Sequence, residues 1–270
     1  ISATEGNDSI LGDQGYIHWD SAGVITEATS TDLDKGGDDV ISLGNGDTLV
    51  IAGFGADQVT TETGKDIVIG DNGEATFTAG ILTLLTSTDL DDSNGAGDII
   101  TLGDGDTNVI AGVGQDRVET GAGLDQILGD HGTMTYADNG TLTEILSRLP
   151  LLGDDDTIIV HGGGSAVVAG GGKDQVTAEG SFTDVVLGDH GFVNWTSAGV
   201  IVKAVSTDLA IGDDDQIDLA DGDNITIAGQ GNDQVTTGAD DDIVVGDNGI
   251  ALFSNGHLVH LLSTDSDELT

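Results

Sequence analysis

The stretch Ala52-Gly53-Phe54-Gly55-Ala56-Asp57-Gln58-Val59-Thr60 decides the fold of this chain. Two glycines precede an aspartate, and an apolar residue follows the aspartate by two positions. The same nine-residue pattern returns at 111–119, 169–177 and 228–236. Glycine readily adopts the positive-φ conformations of a tight turn, and one inward apolar side chain suits a very short strand. The pattern therefore predicts a tight turn that leads into a short strand.

The pattern continues along the chain with a period of nine residues. Two positions after each acidic position stands an apolar residue, and only Thr226 breaks this rule. The acidic positions are Asp8 in an incomplete first copy, then Asp39, Thr48, Asp57 and Asp66, then Asp98, Thr107, Asp116 and Asp125, then Asp156, Ser165, Asp174 and, after one inserted residue, Asp184, and finally Asp215, Asn224, Asp233 and Asp242. Strands this short are stable only when coils stack on one another. Two nonapeptides make one coil, so we expect loops 18 residues apart to share an edge.

A second period of 58 or 59 residues contains the first. It is marked by Gly-Asp-x-Gly, whose aspartates are Asp13, Asp71, Asp130, Asp189 and Asp247. A fixed period of this size is typical of stacked repeats. We expect one continuous solenoid cut from a longer array, with these repeats: 1–36 (partial), 37–95, 96–153, 154–212 and 213–270.

About 25 residues after each marker follow a rule of their own. Four positions after the marker stands an aromatic residue, namely Trp19, Phe77, Tyr136, Trp195 or Phe253, and a glycine follows it. A Ser-Thr-Asp segment then ends at Asp32, Asp89, Asp208 or Asp265, whereas the third copy has Ser147-Arg148-Leu149-Pro150-Leu151 instead. Strand, glycine turn and strand predict a β-hairpin. The fold class we expect is all-β: a right-handed parallel β-roll or β-solenoid with a hairpin inserted in each repeat of about 58 residues.

The charge of the chain demands a partner. There are 49 acidic residues against six Lys and Arg, a formal net charge of −43. Such a chain repels itself when compact, and charge alone would favour disorder, but a 37% apolar fraction on a strict period predicts folding. Metal cations are the simplest neutralising partner. The same charge argues against nucleic acid and anionic membrane surfaces, and no apolar run approaches the ~20 residues of a membrane-spanning helix.

Oxygen chemistry favours calcium. Carboxylates and turn carbonyls at close range suit Ca²⁺, which takes six to eight oxygens, better than Mg²⁺ with its strict octahedron. The candidate ligands among the nonapeptide aspartates are Asp8, Asp39, Asp57, Asp66, Asp98, Asp116, Asp125, Asp156, Asp174, Asp184, Asp215, Asp233 and Asp242. The marker aspartates are candidates too, and Asp47 and Asp106 lie one residue before threonines that lack the charge. The alternative is turn chemistry alone, since Asp and Gly favour turns without any metal.

The pattern Gly-Gly-x-Gly-x-Asp-x-apolar-x resembles that of the RTX family, whose parallel β-roll binds Ca²⁺. Residues 52–60 and their three counterparts carry the resemblance, with Ala in place of the first Gly. It implies ions held between loops of one edge by aspartates and glycine-loop carbonyls, on the order of a dozen in this stretch. It also implies secretion, and a position at the cell surface or outside the cell.

The functional expectation is structural, not enzymatic. No HExxH, Gly-x-Ser-x-Gly, Walker or EF-hand pattern occurs, so we predict no catalytic residues and no organic cofactor site. The leading hypothesis is a calcium-stabilised rod of a bacterial adhesin or surface protein, which contacts further copies of the repeat. Two alternatives remain open: a module that binds a glycan or a surface protein through its hairpins, and the secretion tail of an RTX enzyme or toxin. The hairpin aromatics either contact such a glycan or protein or pack within the fold. His131 and His190 stand in the marker where two copies have Asn, which suggests a role in the turn.

Overall fold

The chain is built almost entirely of short β-strands. The computed structural model describes residues 1–89 and 91–264, so Asp265 and the end of the last predicted repeat lie outside the described residues. Within that part, one 3-10 turn, Asp92–Asn94, is the only helix. The fold is therefore all-β, and its two large parallel sheets are consistent with a β-solenoid.

The first parallel sheet takes every second nonapeptide. Its nine strands, in spatial order, are β1 (Asp8–Leu11), β5 (Thr48–Ile51), β7 (Asp66–Ile69), β11 (Asn108–Ile110), β13 (Gln126–Leu128), β17 (Ala166–Val168), β19 (Val185–Leu187), β23 (Ile225–Ile227) and β25 (Ile243–Val245). Thr48 pairs with Asp66 within one repeat, whereas Ile67 pairs with Asn108 in the next. The longer step accommodates the hairpin segment between the two strands.

The second parallel sheet takes the intervening nonapeptides. Its eight strands are β4 (Val40–Ser42), β6 (Gln58–Thr60), β10 (Ile99–Thr101), β12 (Arg117–Thr120), β16 (Thr157–Val160), β18 (Gln175–Ser181), β22 (Gln216–Asp221) and β24 (Gln234–Thr236). The register puts residues of successive copies side by side, for example Gln58 beside Ile99 and Ile99 beside Arg117. Aspartates that precede these strands consequently line up along one edge.

The segments after the five markers form a third, antiparallel sheet. Its ten strands are β2 (Gly15–Trp19), β3 (Ile25–Ser30), β8 (Gly73–Thr78), β9 (Ile81–Ser87), β14 (Gly132–Tyr136), β15 (Leu142–Ser147), β20 (Gly191–Trp195), β21 (Ile201–Ser206), β26 (Gly249–Ser254) and β27 (His257–Ser263). Each hairpin turns at a glycine with positive φ, such as Gly80 at 80°, a conformation that other residues adopt with strain. Each also contains a register shift at its aromatic residue, as at Phe77.

Two hydrophobic cores separate the three sheets. Val50 and its counterparts fill the space between the parallel sheets, where they meet Ile41 and Val59. Leu49 and Ile51, which point the other way from the same strand, meet the hairpin sheet in a second core. Four of the hairpin aromatics pack against this second core, Phe77, Tyr136, Trp195 and Phe253, whereas Trp19 is 54% exposed. The hairpin sheet thus covers the outer face of the first parallel sheet.

Adjacent residues on β10 provide a test of the inner core. Ile100 is fully buried between the parallel sheets, while Ile99 is 46% exposed. We expect Ile100→Ala to lower the free energy of unfolding by about 2–5 kcal/mol, because it leaves a cavity that stacked coils cannot close. Ile99→Ala is the matched control and should stay within about 0.5 kcal/mol of the parent. Urea unfolding of both variants in calcium measures the difference, and equal losses would contradict this packing.

Candidate metal centre

One edge of the second parallel sheet carries a continuous row of aspartates, which we call the aspartate ladder. Its members are Asp39, Asp57, Asp98, Asp116, Asp156, Asp174, Asp215 and Asp233. Along the row, the backbone N–H of each aspartate donates to the Oδ1 atom of the next, over 2.6–3.0 Å. Every carboxylate from Asp57 onward therefore holds the turn of the preceding coil in place.

From Asp57 onward, the other oxygen of each ladder carboxylate has no hydrogen-bond partner among the described residues. The Oδ2 atoms of Asp57, Asp98, Asp116, Asp156, Asp174, Asp215 and Asp233 are buried and accept no hydrogen bond from any described residue. Leaving a buried acceptor unsatisfied costs about 1–3 kcal/mol, and more when the group is charged. A repeated set of such oxygens along one edge is the chemistry that a row of cations would complete.

The marker aspartates lie against this row. The Oδ2 atom of Asp71 accepts the backbone N–H of Val113, while its Oδ1 atom is buried and unpartnered. Asp130 and Asp189 repeat the arrangement with Gly171 and Gln230. Asp13 accepts the N–H of Phe54 over 2.8 Å; Asp247, in the last repeat, is exposed.

Glycines make room for the oxygens. A Cβ added to Gly70 would overlap Asp98 Oδ2 and the carbonyl oxygen of Ala111, and one added to Gly112 would overlap the carboxylate of Asp71. The same overlap with a ladder Oδ2 and a carbonyl recurs at Gly129 and Gly188. Each repeat therefore brings two kinds of oxygen, carboxylate and main-chain carbonyl, into one small space.

Burial and mutual repulsion raise the pKa values of these carboxyls. Burial, followed by the charge of Asp57, raises the pKa of Asp98 to about 8. Burial and the charge of Asp215 raise the pKa of Asp189 to about 8, and burial holds the pKa of Asp116 well above its ordinary value. The Lys and Arg ion pairs of the described residues go to other acids, such as Lys65 to Asp106. Among the described residues, no Lys or Arg forms an ion pair with a ladder aspartate.

The opposite loop edge is built differently. Asp66 accepts the hydroxyls of Thr48 and Thr61 over 2.8 and 2.6 Å, one on each carboxylate oxygen. Thr107 and Thr120 satisfy Asp125 in the same way. The threonines that interrupt the aspartate series are thus hydrogen-bond donors to the aspartate one coil later.

The remaining predicted residues of this edge are less uniform. Asp184 accepts the N–H of Ser165, and Asp242 that of Asn224, over 2.8 and 3.0 Å. Asp8, in the first copy, has a buried Oδ2 atom without a hydrogen-bond partner in the described chain. The structure therefore brings the predicted aspartates into two rows, and leaves the ladder row with the larger set of unused oxygens.

A further set of carboxylates, on both loop edges, makes a different contact, and the sequence pointed to two of its members, Asp47 and Asp106. Its members are Asp38, Asp47, Asp104, Asp106, Asp155, Asp214, Asp221 and Asp223, and the Oδ1 atom of each accepts a backbone N–H located 18 residues later. In these exposed contacts the N–H donor lies on the later coil, whereas in the ladder the donor lies on the earlier coil. The sequence signal for three of them is an aspartate doublet: Asp38-Asp39, Asp155-Asp156 and Asp214-Asp215. The first residue of each doublet belongs to this set and the second to the ladder.

The end of the hairpin segment anchors the marker. Asp89 accepts both the N–H and the side-chain amide of Asn72, over 3.0 and 3.1 Å. Asn72 and Asn248 also donate to the carbonyls of Leu33 and Leu209 in the preceding repeat. His190 occupies the same position, and burial lowers its pKa. Asp32 and Asp208 adopt positive φ at 51° and 53°, so this set serves turns.

No part of the described chain brings three or more acidic or histidine side chains to metal-binding geometry by themselves. Any cation there would need main-chain carbonyls such as that of Ala111 among its ligands. The described residues also contain no helix long and apolar enough to cross a membrane. No protein-family model, curated protein or solved structure matches this chain.

Proposed function

We propose that this chain is a calcium-stabilised structural and adhesive repeat segment of a secreted or cell-surface bacterial protein. The observation that carries the proposal is the row of buried, unpartnered Oδ2 atoms along the aspartate ladder. Ca²⁺ accepts six to eight oxygens in flexible geometry, including carboxylates and backbone carbonyls. Where two repeats meet, Asp71 of one and Asp98 of the next, with the carbonyl of Ala111, are oxygens that would hold an ion, and Asp116 follows Asp98 along the ladder.

Calcium would supply charge and cross-links, not chemistry on a substrate. A divalent ion bound there satisfies the unused oxygens and cancels repulsion between neighbouring coils. Since each coil rests only on its neighbours, ions along the edge would stiffen the whole array. The role requires no catalytic residue, and we propose none.

The resemblance to RTX repeats supports a location outside the cell. Extracellular calcium modules bind at Kd of about 10⁻⁴–10⁻³ M, near the calcium concentration outside cells and far above that of cytoplasm. A chain with a net charge of −43 would then stay unfolded until export and wind into a right-handed β-roll outside. Further copies of the repeat are its proposed neighbours in the parent protein.

Two aspartates nine residues apart test the assignment. Asp116→Asn keeps an acceptor for the N–H of Asp98 but removes the charge beside the unused Oδ2 atom. We expect it to lower the number of bound calcium ions by at least one per chain. The reason is that it removes a carboxylate that would contact the ion at about 2.3–2.6 Å. Equilibrium dialysis with atomic absorption counts the ions.

Asp125→Asn is the matched control. Both oxygens of Asp125 already accept threonine hydroxyls, so its calcium count should equal that of the parent. The sequence pattern predicts that both Asp116 and Asp125 bind calcium, whereas the unpartnered oxygens predict that only Asp116 does. Comparing the two variants distinguishes these predictions. A count unchanged in Asp116→Asn would overturn the ladder as the site.

A further inference from the structure

A groove of about 780 Å³ lies between the hairpin sheet and the threonine-bearing loop edge of the first parallel sheet. We call it the hairpin groove. Tyr136 and Trp195 line it from the hairpins, Leu124 and Phe182 from the loops, and Asn108 and Gln126 from the strands between them. It is remote from the aspartate ladder, which occupies the other loop edge.

The residues at the floor of the groove differ from those at the equivalent positions of other repeats. At this register position the nine strands of the first parallel sheet carry, in spatial order, Ser9, Leu49, Ile67, Asn108, Gln126, Ala166, Val185, Ile225 and Ile243. All are large and apolar except Ser9, at the edge of the sheet in the incomplete first copy, and three consecutive members inside the sheet, two amides and one alanine. A polar side chain in such an interface costs free energy unless it is hydrogen-bonded. Folding alone would favour the apolar residues that the other copies have.

The loop residues at the rim of the groove also differ from their equivalents in other repeats. Leu124 is 55% exposed, where the corresponding residues of other loops are polar or glycine: Asn7, Asp47, Lys65, Asp106, Gly164, Thr183, Asp223 and Asp241. Phe182 is 52% exposed and belongs to the one loop with an inserted residue, where the step to the next coil is 19 instead of 18. Three independent departures from an otherwise regular repeat thus meet in one groove.

The groove offers uncharged polar atoms beside apolar walls. The amide oxygen of Asn108 accepts the hydroxyl of Tyr136 over 2.6 Å. The Oε1 atom of Gln126 and the Oγ atom of Ser165 are buried without a hydrogen-bond partner among the described residues. Lys65 and Asp106, also at the rim, pair with each other over 3.2 Å. Such a mixture, mostly apolar with a few placed polar groups, is typical of ligand sites.

We propose that the hairpin groove binds a neutral oligosaccharide. A sugar ring presents a C–H face to aromatic and aliphatic side chains, as Trp195 and Phe182 offer, and hydroxyls to amides such as those of Asn108 and Gln126. The groove crosses six successive strands, from Ile67 to Ile225, a length of ~24 Å at ~4.8 Å per strand, which suits a linear chain. Acidic glycans fit poorly because the protein carries a net charge of −43.

The test uses the folded chain in millimolar calcium. The protein has two tryptophans, so Trp19→Phe leaves Trp195 as the sole fluorescent reporter in the groove. Cellohexaose, maltohexaose and xylohexaose are titrated separately, with calorimetry in parallel. We expect at least one to bind saturably and to shift the Trp195 emission.

Three variants locate the binding. Asn108→Leu with Gln126→Ile restores the apolar repeat and should weaken binding by about tenfold or more, with an unfolding curve to show that the fold persists. Phe182→Ala alters an exposed residue and should also weaken binding. Leu151→Ala, at a 79% exposed residue outside the groove, should leave the affinity unchanged.

The proposal is overturned if none of the three hexasaccharides binds at millimolar concentration to the folded chain. If the apolar dye anilinonaphthalene sulfonate then binds in a Phe182-dependent way, the groove would be assigned to an apolar ligand. Because folding is checked in the same samples, failure here is distinct from failure of the calcium proposal.

Discussion

Removal of calcium is expected to unfold the chain. In chelator, the far-ultraviolet circular dichroism should lose its β-strand signal and small-angle scattering should show an expanded chain. The physical reason is that the ladder holds buried carboxylates that form no ion pair with a Lys or Arg of the described residues. About a dozen divalent ions would cancel roughly 24 charges of the −43. Ions that bind only the folded state would stabilise it by mass action.

Returned calcium should restore the strands. Magnesium at the same concentration is the control, and we expect it to restore less, because it demands stricter geometry and retains its waters. Protease sensitivity should follow the same order, highest in chelator and lowest in calcium. A chain with the same scattering curve in excess chelator as in millimolar calcium would show that calcium does not drive folding.

Without calcium, the fold should be more stable in mild acid than at neutral pH. Burial raises the pKa of Asp98 from 3.8 to about 8 and that of Asp215 to about 7. Folding therefore takes up protons, and this contribution to stability is full below about pH 4 and is lost as pH rises toward 8. One pKa unit corresponds to about 1.4 kcal/mol. A few such groups suffice against a typical net stability of about 5–15 kcal/mol.

Circular dichroism in chelator at pH 5.5 and pH 8 measures this effect. We expect more β-strand signal and a higher urea midpoint at pH 5.5. Saturating calcium should remove most of the difference, since cations then take the place of the protons. A metal-free chain that is more stable at pH 8 than at pH 5.5 would mean that the ladder carboxylates have partners that lower their pKa values.

The two periods in the sequence predict much of this architecture. The apolar residue two positions after each aspartate, such as Val59, lies in the inner core, because side chains alternate across a strand. The 18-residue coil also follows from the pattern, as the pairing of Thr48 with Asp66 shows. These features are local or repeat at a fixed step, so single positions are enough to reveal them.

The rest depends on contacts between distant segments. The hairpins are predicted, but their assembly into one sheet over Leu49 and Ile51 requires knowing which face of a strand meets which neighbour. The difference between Asp116 and Asp125 is equally hidden, because the two hydroxyls that satisfy Asp125 come from Thr107, one coil earlier, and from Thr120, at the end of β12. The hairpin groove arises from substitutions at Asn108, Gln126 and Leu124 that meet only when the coils are stacked.

Anomalous scattering from crystals grown in calcium tests most directly whether calcium occupies the aspartate ladder. We predict anomalous peaks beside Asp98 Oδ2, Asp116 Oδ2 and Asp71 Oδ1, repeated at the equivalent aspartates of the other units, at about 2.3–2.6 Å from oxygen. A structure at saturating calcium in which those oxygens bind only water would contradict the claim.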